Sequence, residues 1–461
     1  MSSTQALRSI FKGDIVTSDD PGYEDAISRW TTNAVRKAQM VVFVKDAEDA
    51  SLAVKFALAA NLKIAIRGGG HSPSGASSRD GGLVIDLSKY LNGVRVDPDK
   101  KLAYVGGGAL WATVDKAAIQ HGLATVGGTV NHTGVGGLAL GGGYGWLSGS
   151  HGLVIDNIEQ VTIVTADGSI LKASSTENPD LFWGIRGGGS NFGVVTEFVL
   201  RLHPQRRTVY AGKVIFSPDK GEVLSEILGE WWPRITPKEG VFVALTRDPN
   251  RNPCILLALF YNGPEAEGRA NFKKIFDVGP LADLTGEIPY ENLNGMMLEI
   301  ATPGLNYYMK GYTLQPQLAK DLIPKVLSRI TELSSDGIHN YIAVLLEFVS
   351  QSKINSVPKD ATPYPRTLTG NAVVVIQWDK LDTPEKLRLA KHAAQEVTKL
   401  MPEGDGYSNY SCEATTTTEA AGPSKSQAQF KEHYPRLQAI KKKYDPNLVF
   451  DRWFVIEPTR A

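Results

Sequence analysis

The sequence predicts an α+β protein in which a glycine-rich domain is followed by a domain of antiparallel strands and helices. More than half of the 46 glycines lie between Gly68 and Gly193, in doublets and triplets among runs of Val, Ile and Leu. Glycines of this kind let a backbone turn with positive φ or approach a ligand closely. After about Pro204 glycine becomes rarer, and alternating strand patterns are separated by amphipathic helical stretches.

The elements of the first domain follow from the apolar pattern around the glycines. A helix is expected to begin at Asp46, and a second helix over Leu110–His121 is expected to end at Gly122. Ala166-Asp167-Gly168 is a hairpin signal between two apolar runs. The predicted strands are Lys63–Ile66, Leu83–Leu87, Val161–Thr165, Ile170–Lys172 and Val194–Leu202.

The second domain is predicted as a sheet backed by helices, because its strand patterns alternate and its helical patterns have one apolar face. The predicted strands are Gly212–Phe216, Val241–Thr246, Ile255–Tyr261, Tyr341–Val349 and Ala372–Trp378. The predicted helices are Gln317–Leu333, Pro384–Met401 and, before a final aromatic-rich tail, Pro435–Tyr444.

Composition excludes several classes of protein. The chain has 461 residues and carries 49 basic and 49 acidic side chains, so no net charge favours nucleic acid or an anionic membrane. Two cysteines are too few for a disulfide framework, and two unpaired thiols are expected. The short basic run Lys441–Lys443 is predicted to be the solvated face of a helix.

The location of the protein is predicted from its N-terminus and its apolar runs. Met1–Trp30 lacks the basic-then-apolar pattern of a signal peptide. The most apolar run, Tyr341–Val349, is short and contains Glu347, so no membrane span is expected. Both glycosylation acceptors, at Asn131 and Asn409, fall in the motifs assigned below to a cofactor. We therefore predict an intracellular, cytoplasmic protein.

The glycine runs match neither common nucleotide-binding fingerprint, because G-x-G-x-x-G and G-x-x-x-x-G-K-[ST] are both absent from the sequence. Instead, one predicted strand leads into three glycines and His71. Free N–H groups in such a turn form an anion site suited to a pyrophosphate. The histidine is then either a nucleophile beside a cofactor or an ordinary surface residue after a turn. No other histidine stands at metal-ligand spacing from it, so no metal site is predicted.

Five glycine-rich motifs in order resemble the FAD-binding domain of the vanillyl-alcohol-oxidase superfamily. They are Arg67–Ser72, Gly81–Leu87, Gly134–Gly145, Gly152–Asn157 and Asn191–Thr196. Two C-terminal motifs, Tyr407–Tyr410 and Asp445–Asn447, are similar to the berberine-bridge-enzyme-like subfamily. The resemblance implies a two-domain PCMH-type FAD-binding fold. Its expected parts are an FAD domain over 1–205 with a core at about 36–205, a substrate domain over 206–405, and a segment over 406–461 that returns to the FAD domain.

The resemblance also implies a covalent cofactor. His71 matches the histidine that carries FAD through the 8α position of the isoalloxazine ring, and Asn409 matches the residue by which the C-terminal segment reaches the flavin. The remaining residues expected to bind FAD are Arg67, Gly68, Gly69, Gly70, Ser72, Gly75, Thr129, Gly134, Gly136, Gly137, Gly141, Gly142, Asp156, Asn157, Ile158 and Val195. Many relatives add a second tether from a cysteine, but Val130 stands at that position, so a single bond is expected.

The resemblance points to Tyr144 and Tyr407 as proton-transfer groups and to Gln377 as a group that orients the substrate, since an amide is not a base. A phenol needs a nearby cation to act as a phenolate, and Val375 replaces the lysine that supplies it in relatives. The alternative is that both tyrosines only hydrogen-bond the flavin edge.

Three other features stay open. The alternation does not decide whether Glu347 faces solvent or the cavity, and His132 has either a structural place or a place near the ring. An aromatic cluster of Tyr307, Tyr308 and Tyr312 fits either a pocket wall or a packed core.

The predicted function is an FAD-dependent oxidase that takes hydride from a hydroxyl- or amine-bearing small molecule, a secondary metabolite, and passes electrons to O2. Thr133, before the flavin glycines, leaves oxidase and dehydrogenase both open. A flavoprotein cyclase or isomerase and a non-catalytic binding protein are also compatible with the sequence. No nucleic acid or membrane partner is expected, and the oligomeric state is not predicted.

Overall fold

The computed structural model describes residues 3–315, 317–334, 341–366, 370–379, 382–401, 406–413 and 424–459. The strands of the first domain are β1 (Asp14–Thr17), β2 (Met40–Phe43), β3 (Ile64–Arg67), β4 (Leu83–Asp86), β5 (Val94–Asp97), β6 (Leu102–Gly106), β7 (Leu123–Ala124), β8 (Ile158–Val164), β9 (Ile170–Ser174), β10 (Val194–Arg201) and β11 (His203–Pro204). Its helices are α1 (Ser3–Ile10), α2 (Tyr23–Ile27), α3 (Ala47–Ala59), α4 (Trp111–Ile119), α5 (Val135–Leu140), α6 (Ser148–His151) and α7 (Pro179–Ile185).

The strands that follow are β12 (Thr208–Phe216), β13 (Glu239–Arg247), β14 (Pro253–Tyr261), β15 (Ala282–Pro289), β16 (Asn306–Thr313), β17 (Tyr341–Val349) and β18 (Asn371–Trp378). The helices among and after them are α8 (Gly221–Trp231), α9 (Glu265–Asn271), α10 (Lys273–Phe276), α11 (Leu322–Leu333), α12 (Ser352–Ser356), α13 (Pro384–Thr398), α14 (Lys425–Phe430) and α15 (Tyr434–Tyr444).

The first domain is built on two sheets. The smaller one has the strand order β1-β2-β4-β3, in which β2, β4 and β3 are parallel and β1 is antiparallel to β2. The larger one is antiparallel, in the order β5-β6-β10-β8-β9. The helix α3 is capped by Asp46, whose side chain accepts a hydrogen bond from the backbone N–H of Asp49.

The second domain is a seven-stranded antiparallel sheet in the order β15-β12-β14-β13-β17-β18-β16. One face packs on α8, α11 and α13; Val344, Leu346 and Phe348 of β17 point to that side. Because successive side chains of a strand point to opposite faces, Leu345 points to the other side, toward the first domain. The α+β class predicted from the sequence is therefore confirmed, with an antiparallel sheet backed by helices.

The end of the chain returns to the first domain. Residues 407–412 run beside β16, where the Cys412 N–H donates to the Met309 carbonyl at 3.3 Å. Downstream, α15 packs on α7. The Asn191 amide of the first domain donates to the carbonyls of Trp453 and Phe454 at 3.1 and 3.2 Å. These contacts fix the aromatic tail against the glycine-rich domain.

One surface prediction is wrong. Lys441, the first residue of the basic run, is fully buried and is not part of a solvated helix face. Its ammonium donates to Asp445 at 2.6 Å, to the Phe450 carbonyl at 2.7 Å and to the carbonyl of Asn191. A charged group so far from water needs these partners, which is why the cation lies where the tail and α15 meet. Only Lys442 and Lys443 are exposed.

No helix in the described ranges combines the length and the apolar character that crossing a bilayer requires.

Candidate active site

A cavity lies between the two domains, and much of its wall on the first-domain side is bare backbone. The glycines that line it are Gly68, Gly69, Gly70, Gly107, Gly128, Gly134, Gly136, Gly137, Gly189 and Gly193. The two loops that carry most of them touch, since a side-chain carbon built on Gly69 would lie 2.6 Å from the Cα of Gly134. Glycine is therefore required at this crossing, because a larger residue would separate the loops.

The His71 imidazole follows β3 and faces the cavity. Its Nε2 lies 3.2 Å from Nδ1 of His132, which comes from the second glycine loop. Burial lowers the pKa of His71 to about 3, and the neighbouring His132 adds to the lowering. Burial also lowers the pKa of His132. Both rings are consequently neutral at physiological pH, and a neutral imidazole retains a lone pair for nucleophilic attack.

Trp30 fixes the plane of the His71 ring. The two rings stack with centroids 4.1 Å apart and an angle of 8° between their planes. The other neighbour of Trp30 is Tyr307 of β16, at a centroid distance of 4.1 Å. The indole Nε1 donates to the carbonyl of Ala301 at 2.8 Å. Trp30 therefore connects the His71 ring to the second domain.

Glu347 is the only carboxylate among the described residues that line the cavity. It shares a face of β17 with Leu345, so it points toward the first domain and is only 1% exposed. Its Oε1 accepts a hydrogen bond of 2.7 Å from Tyr410, while its Oε2 has no partner within the described part of the chain. Burial raises the pKa of Glu347 to about 8, and the Tyr410 hydrogen bond opposes that rise.

Tyr144 and Tyr407 both line the cavity, with ring centroids 6.3 Å apart. The Tyr407 hydroxyl accepts hydrogen bonds from the Gly143 N–H at 3.1 Å and from the Asn409 amide at 2.7 Å. Burial raises the pKa of both phenols well above the usual value, and the nearby Glu347 adds to the effect. These phenols therefore stay protonated and can act as hydrogen-bond groups.

The structure brings most of the predicted site residues into one cavity wall. Those that line it are His71, Gly68, Gly69, Gly70, Ser72, Thr129, Gly134, Gly136, Gly137, Val195, Asn409, Tyr144 and Tyr407. They come from four separate segments of the chain, so the fold, rather than any one motif, assembles them.

Four predicted residues lie just behind that wall. Arg67 forms an ion pair of 3.0 Å with the buried Asp86. The Gly75 carbonyl accepts a hydrogen bond from Arg452 at 2.7 Å. A side-chain carbon built on Gly141 would meet the amide of Asn409, and one built on Gly142 would meet the ring of Tyr364. Of the four partners, Asn409 lines the cavity and Arg452 precedes the lining residue Trp453.

The other four predicted residues do not line the cavity either, and in the described part of the chain only Gln377 bonds a residue that does. Asp156 pairs with the buried Arg366 at 3.0 Å, and the Asn157 amide donates to the carbonyls of His151 and Leu153. Ile158 is a buried residue at the start of β8. The Gln377 amide donates to the carbonyl of Ile300 at 3.0 Å and is not among the lining residues.

Sequence reasoning missed many of the lining residues, among them Trp30, Trp453 and Tyr410. Trp30 is an isolated aromatic residue, Trp453 lies in a segment without a motif, and Tyr410 stands in the C-terminal motif without an assigned role. A weak signal was present for Trp453, because aromatic residues crowd the last part of the chain. The open case of Glu347 is now decided: it faces the cavity. Of the aromatic cluster, Tyr307, Tyr308 and Tyr312 are buried and none lines the cavity.

Comparison with known proteins identifies the family of the chain. The FAD binding domain family matches residues 38–174, and the berberine and berberine like family matches residues 407–452. The FAD-linked oxidoreductase pgmH of Aspergillus terreus is 32% identical over 475 residues, covering 98% of this chain and 96% of that protein. The chain belongs to the FAD-linked oxidoreductases. It is therefore an enzyme whose cofactor is FAD.

Two further relatives of this FAD-linked oxidoreductase are oxidases. The (R)-6-hydroxynicotine oxidase of Paenarthrobacter nicotinovorans is 28% identical over 470 residues, covering 99% of each chain. The solved structure of 6-hydroxy-D-nicotine oxidase from Arthrobacter nicotinovorans superposes with a TM-score of 0.84 at 25% identity, covering 97% of this chain and 98% of that one.

A glucooligosaccharide oxidase from Acremonium strictum has the same fold. The FAD of that protein is described as 6-S-cysteinyl, 8α-N1-histidyl FAD. Its TM-score is 0.85 at 23% identity, and all of each chain is covered. The expected two-domain FAD-binding fold is thus confirmed.

The cavity of this FAD-linked oxidoreductase fits its cofactor. No Lys or Arg is among the described lining residues, so a pyrophosphate there would be held by backbone N–H groups of the glycine loops. A side-chain carbon built on Gly137 would meet no atom within 4 Å, so any side chain there would project into free space. The buried Ser77 hydroxyl also lines the cavity without a partner in the described residues. These features are those of a wall shaped for a large ligand with polar groups.

Proposed function

We propose that this enzyme is an oxidase with FAD held by a single covalent bond to His71. In this proposal it removes hydride from a carbon that bears a hydroxyl or amine group in a small apolar molecule, and the electrons pass to O2. The observation that carries the proposal is the position of Glu347, a lone buried carboxylate in a largely apolar wall of the FAD cavity.

When bound, FAD supplies the hydride acceptor. The glycine loop at 68–70 and the start of α5 at 134–137 are proposed to hold FAD through backbone N–H groups. Asn409, whose amide also bonds Tyr407, is proposed to contact the flavin from the C-terminal segment. The neutral His71 ring, fixed by Trp30, supports attachment there, because an uncharged imidazole is the nucleophilic form. With Val130 at the position of the second tether, one bond is proposed.

Glu347 is proposed to take the proton from the hydroxyl or ammonium group of the substrate as the neighbouring C–H bond breaks. A general base works best when its pKa lies near the working pH, and burial raises the pKa of Glu347 to about 8. Tyr410 holds one carboxylate oxygen, which leaves Oε2 for the substrate. This assignment replaces a tyrosine phenolate, since burial keeps the phenols of Tyr144 and Tyr407 protonated.

The remaining predicted catalytic residues keep positioning roles in the proposal. Tyr144 and Tyr407 orient ligands by hydrogen bonds, and Gln377 holds the Ile300 backbone, whose side chain lines the cavity. Around Glu347 the wall is apolar and includes Phe242, Leu345, Val373 and Val375. A sugar would leave many hydroxyls unpaired against such a wall, so an apolar secondary metabolite is the proposed substrate class.

A panel of apolar alcohols and amines, mixed anaerobically with the purified enzyme, tests this function. We expect at least one compound to bleach the flavin absorbance, and admission of air to restore the colour with formation of hydrogen peroxide. Bleaching without peroxide would identify a dehydrogenase with another acceptor. Product formation without any bleaching would contradict the proposal in favour of an isomerase or cyclase.

A further inference from the structure

His71 lines the cofactor cavity, and its imidazole meets that of His132, which lies 61 residues further along the chain. Nε2 of His71 lies 3.2 Å from Nδ1 of His132, within hydrogen-bond distance. Because one nitrogen of His71 is engaged in this contact, the nitrogen free to bond a ligand is Nδ1. Stacking on Trp30 at an interplanar angle of 8° holds the ring in this orientation.

The position of His132 is set by backbone contacts on both sides. The Asn131 N–H donates to the Asn294 carbonyl at 2.9 Å, and the Asn131 carbonyl accepts from Ala112 at 2.9 Å. On the other side, the Thr133 carbonyl accepts from the Trp111 N–H at 3.1 Å. The loop is thus tied to α4 and to the second domain, and the contact between the two imidazoles belongs to a fixed geometry.

We propose that His132 is the general base for self-catalysed attachment of FAD to Nδ1 of His71. This inference rests on the proposed function, because it requires that His71 carries the cofactor. It assigns a chemical role to a residue that the substrate reaction leaves unused.

In the proposed step one C–H bond of the 8α carbon would break with its proton released to solvent, and Nδ1 of His71 would form a bond to that carbon. The Nε2 proton of His71 would pass to Nδ1 of His132. Two electrons from the broken C–H bond remain on the isoalloxazine ring of FAD. Molecular oxygen is the oxidant that removes them, with both released protons, as hydrogen peroxide.

The surroundings of His132 suit a base that holds a proton only briefly. Burial lowers its pKa, while the Ala301 carbonyl acts in the opposite direction. The neutral ring can therefore accept the proton during bond formation and release it afterwards. Without His132, the proton on Nε2 of the alkylated imidazole would have no acceptor at the distance seen here.

The test uses the full chain, produced without riboflavin and then supplied with FAD in air. Intact mass after denaturation measures the covalent adduct, and flavin absorbance before denaturation measures total bound FAD. We expect the wild-type chain to gain the mass of one FAD. His132→Ala is expected to bind FAD but to form the adduct about 10²- to 10⁴-fold more slowly, the usual contribution of a general base. Added imidazole is expected to restore part of that rate.

Two variants separate base catalysis from orientation. His132→Gln keeps a hydrogen-bond acceptor without a basic nitrogen and is expected to stay slow, whereas His151→Gln, in a ring pair with His203, is expected to match the wild type. Adduct formation at the wild-type rate in His132→Ala or His132→Gln would overturn the inference. A wild-type chain without any adduct would instead refute the proposed covalent link itself.

A second measurement does not depend on how the variants fold. NMR of the flavin peptide isolated from the wild-type enzyme identifies the bonded nitrogen, which we expect to be Nδ1. Attachment through Nε2 would contradict the inference, because that nitrogen would then be unable to pass its proton to His132.

Discussion

Tyr410 donates a hydrogen bond of 2.7 Å to Oε1 of Glu347, joining the C-terminal segment to β17 inside the cavity. The contact restrains one oxygen of a carboxyl group whose pKa burial raises to about 8. Hydrogen bonding to the charged form favours that form, so Tyr410 opposes the effect of burial. The state of Glu347 thus depends on a residue 63 positions away in the sequence.

Removal of the carboxylate is expected to slow the proposed oxidation. In Glu347→Gln the amide has no basic oxygen, so the rate of anaerobic flavin reduction by a substrate from the panel should fall by about 10²- to 10⁴-fold. FAD content should be unchanged. Glu287→Gln, on the edge strand β15, serves as the control and should reduce at the wild-type rate. An unaffected rate in Glu347→Gln would show that another group accepts the proton.

The pH dependence of the reaction should follow the same group. Because the pKa of Glu347 lies near 8, kcat/KM should rise as the pH increases through that value and the carboxylate forms. Tyr410→Phe removes the hydrogen bond that favours the carboxylate, so the rise should move to higher pH. Steady-state kinetics over a pH series checks both expectations. A rise that persists unchanged in Glu347→Gln would assign it to a different residue.

Stability should also depend on the ionisation of Glu347. Its pKa is higher in the folded protein than the usual value of 4.5, so the unfolded chain binds fewer protons between the two values. The contribution of Glu347 to folding stability is therefore largest at low pH and decreases as the pH rises toward about 8. Glu347→Gln should be more stable than the wild type at about pH 9 and closer to it at about pH 4, as measured by urea unfolding.

A side chain at Gly137 should exclude the cofactor without unfolding the protein. Leucine there would project into free space in the cavity, so Gly137→Leu should keep its circular dichroism spectrum and lose flavin absorbance. Gly286→Leu, on the edge strand β15, is the matched control, because a side-chain carbon built on Gly286 also meets no atom within 4 Å. Normal flavin content in Gly137→Leu would place the cofactor elsewhere.

Loss of the buried cation should destabilise the chain strongly. Lys441→Ala leaves the buried Asp445 carboxylate without its cation and should lower the free energy of unfolding by about 3–5 kcal/mol. The exposed neighbour Lys442 offers a direct comparison, since Lys442→Ala should change the free energy of unfolding by no more than about 0.5 kcal/mol. Chemical denaturation of the two variants gives both values. Equal changes in the two variants would show that the buried ion pair stabilises the fold no more than an exposed lysine does.

Local patterns predicted much of the fold and the cofactor loops. The strand over Tyr341–Val349 is found at the predicted bounds, and α3 begins after the predicted cap at Asp46. These features depend on residues close together in the chain. Glycine triplets also have a local signature, which is why the loop before His71 could be assigned a role from the sequence.

The side-chain contacts across the cavity were not predictable in the same way. Both faces of β17 are apolar, so the sequence pattern did not indicate to which face Glu347 points. The packing of Leu346 against the helices decides this. The contact of His71 with His132 has no local signal. Lys441 looked like a surface residue because its acceptors are brought together only by the folded tail.

The ring of Trp30 lies between His71 of one domain and Tyr307 of the other. The His71 ring therefore reaches its final orientation only after both halves of the polypeptide have come together around this indole. If attachment proceeds as proposed, the yellow adduct can form only on chains that have completed assembly. Covalently attached flavin would then show that an individual molecule had once reached its native state.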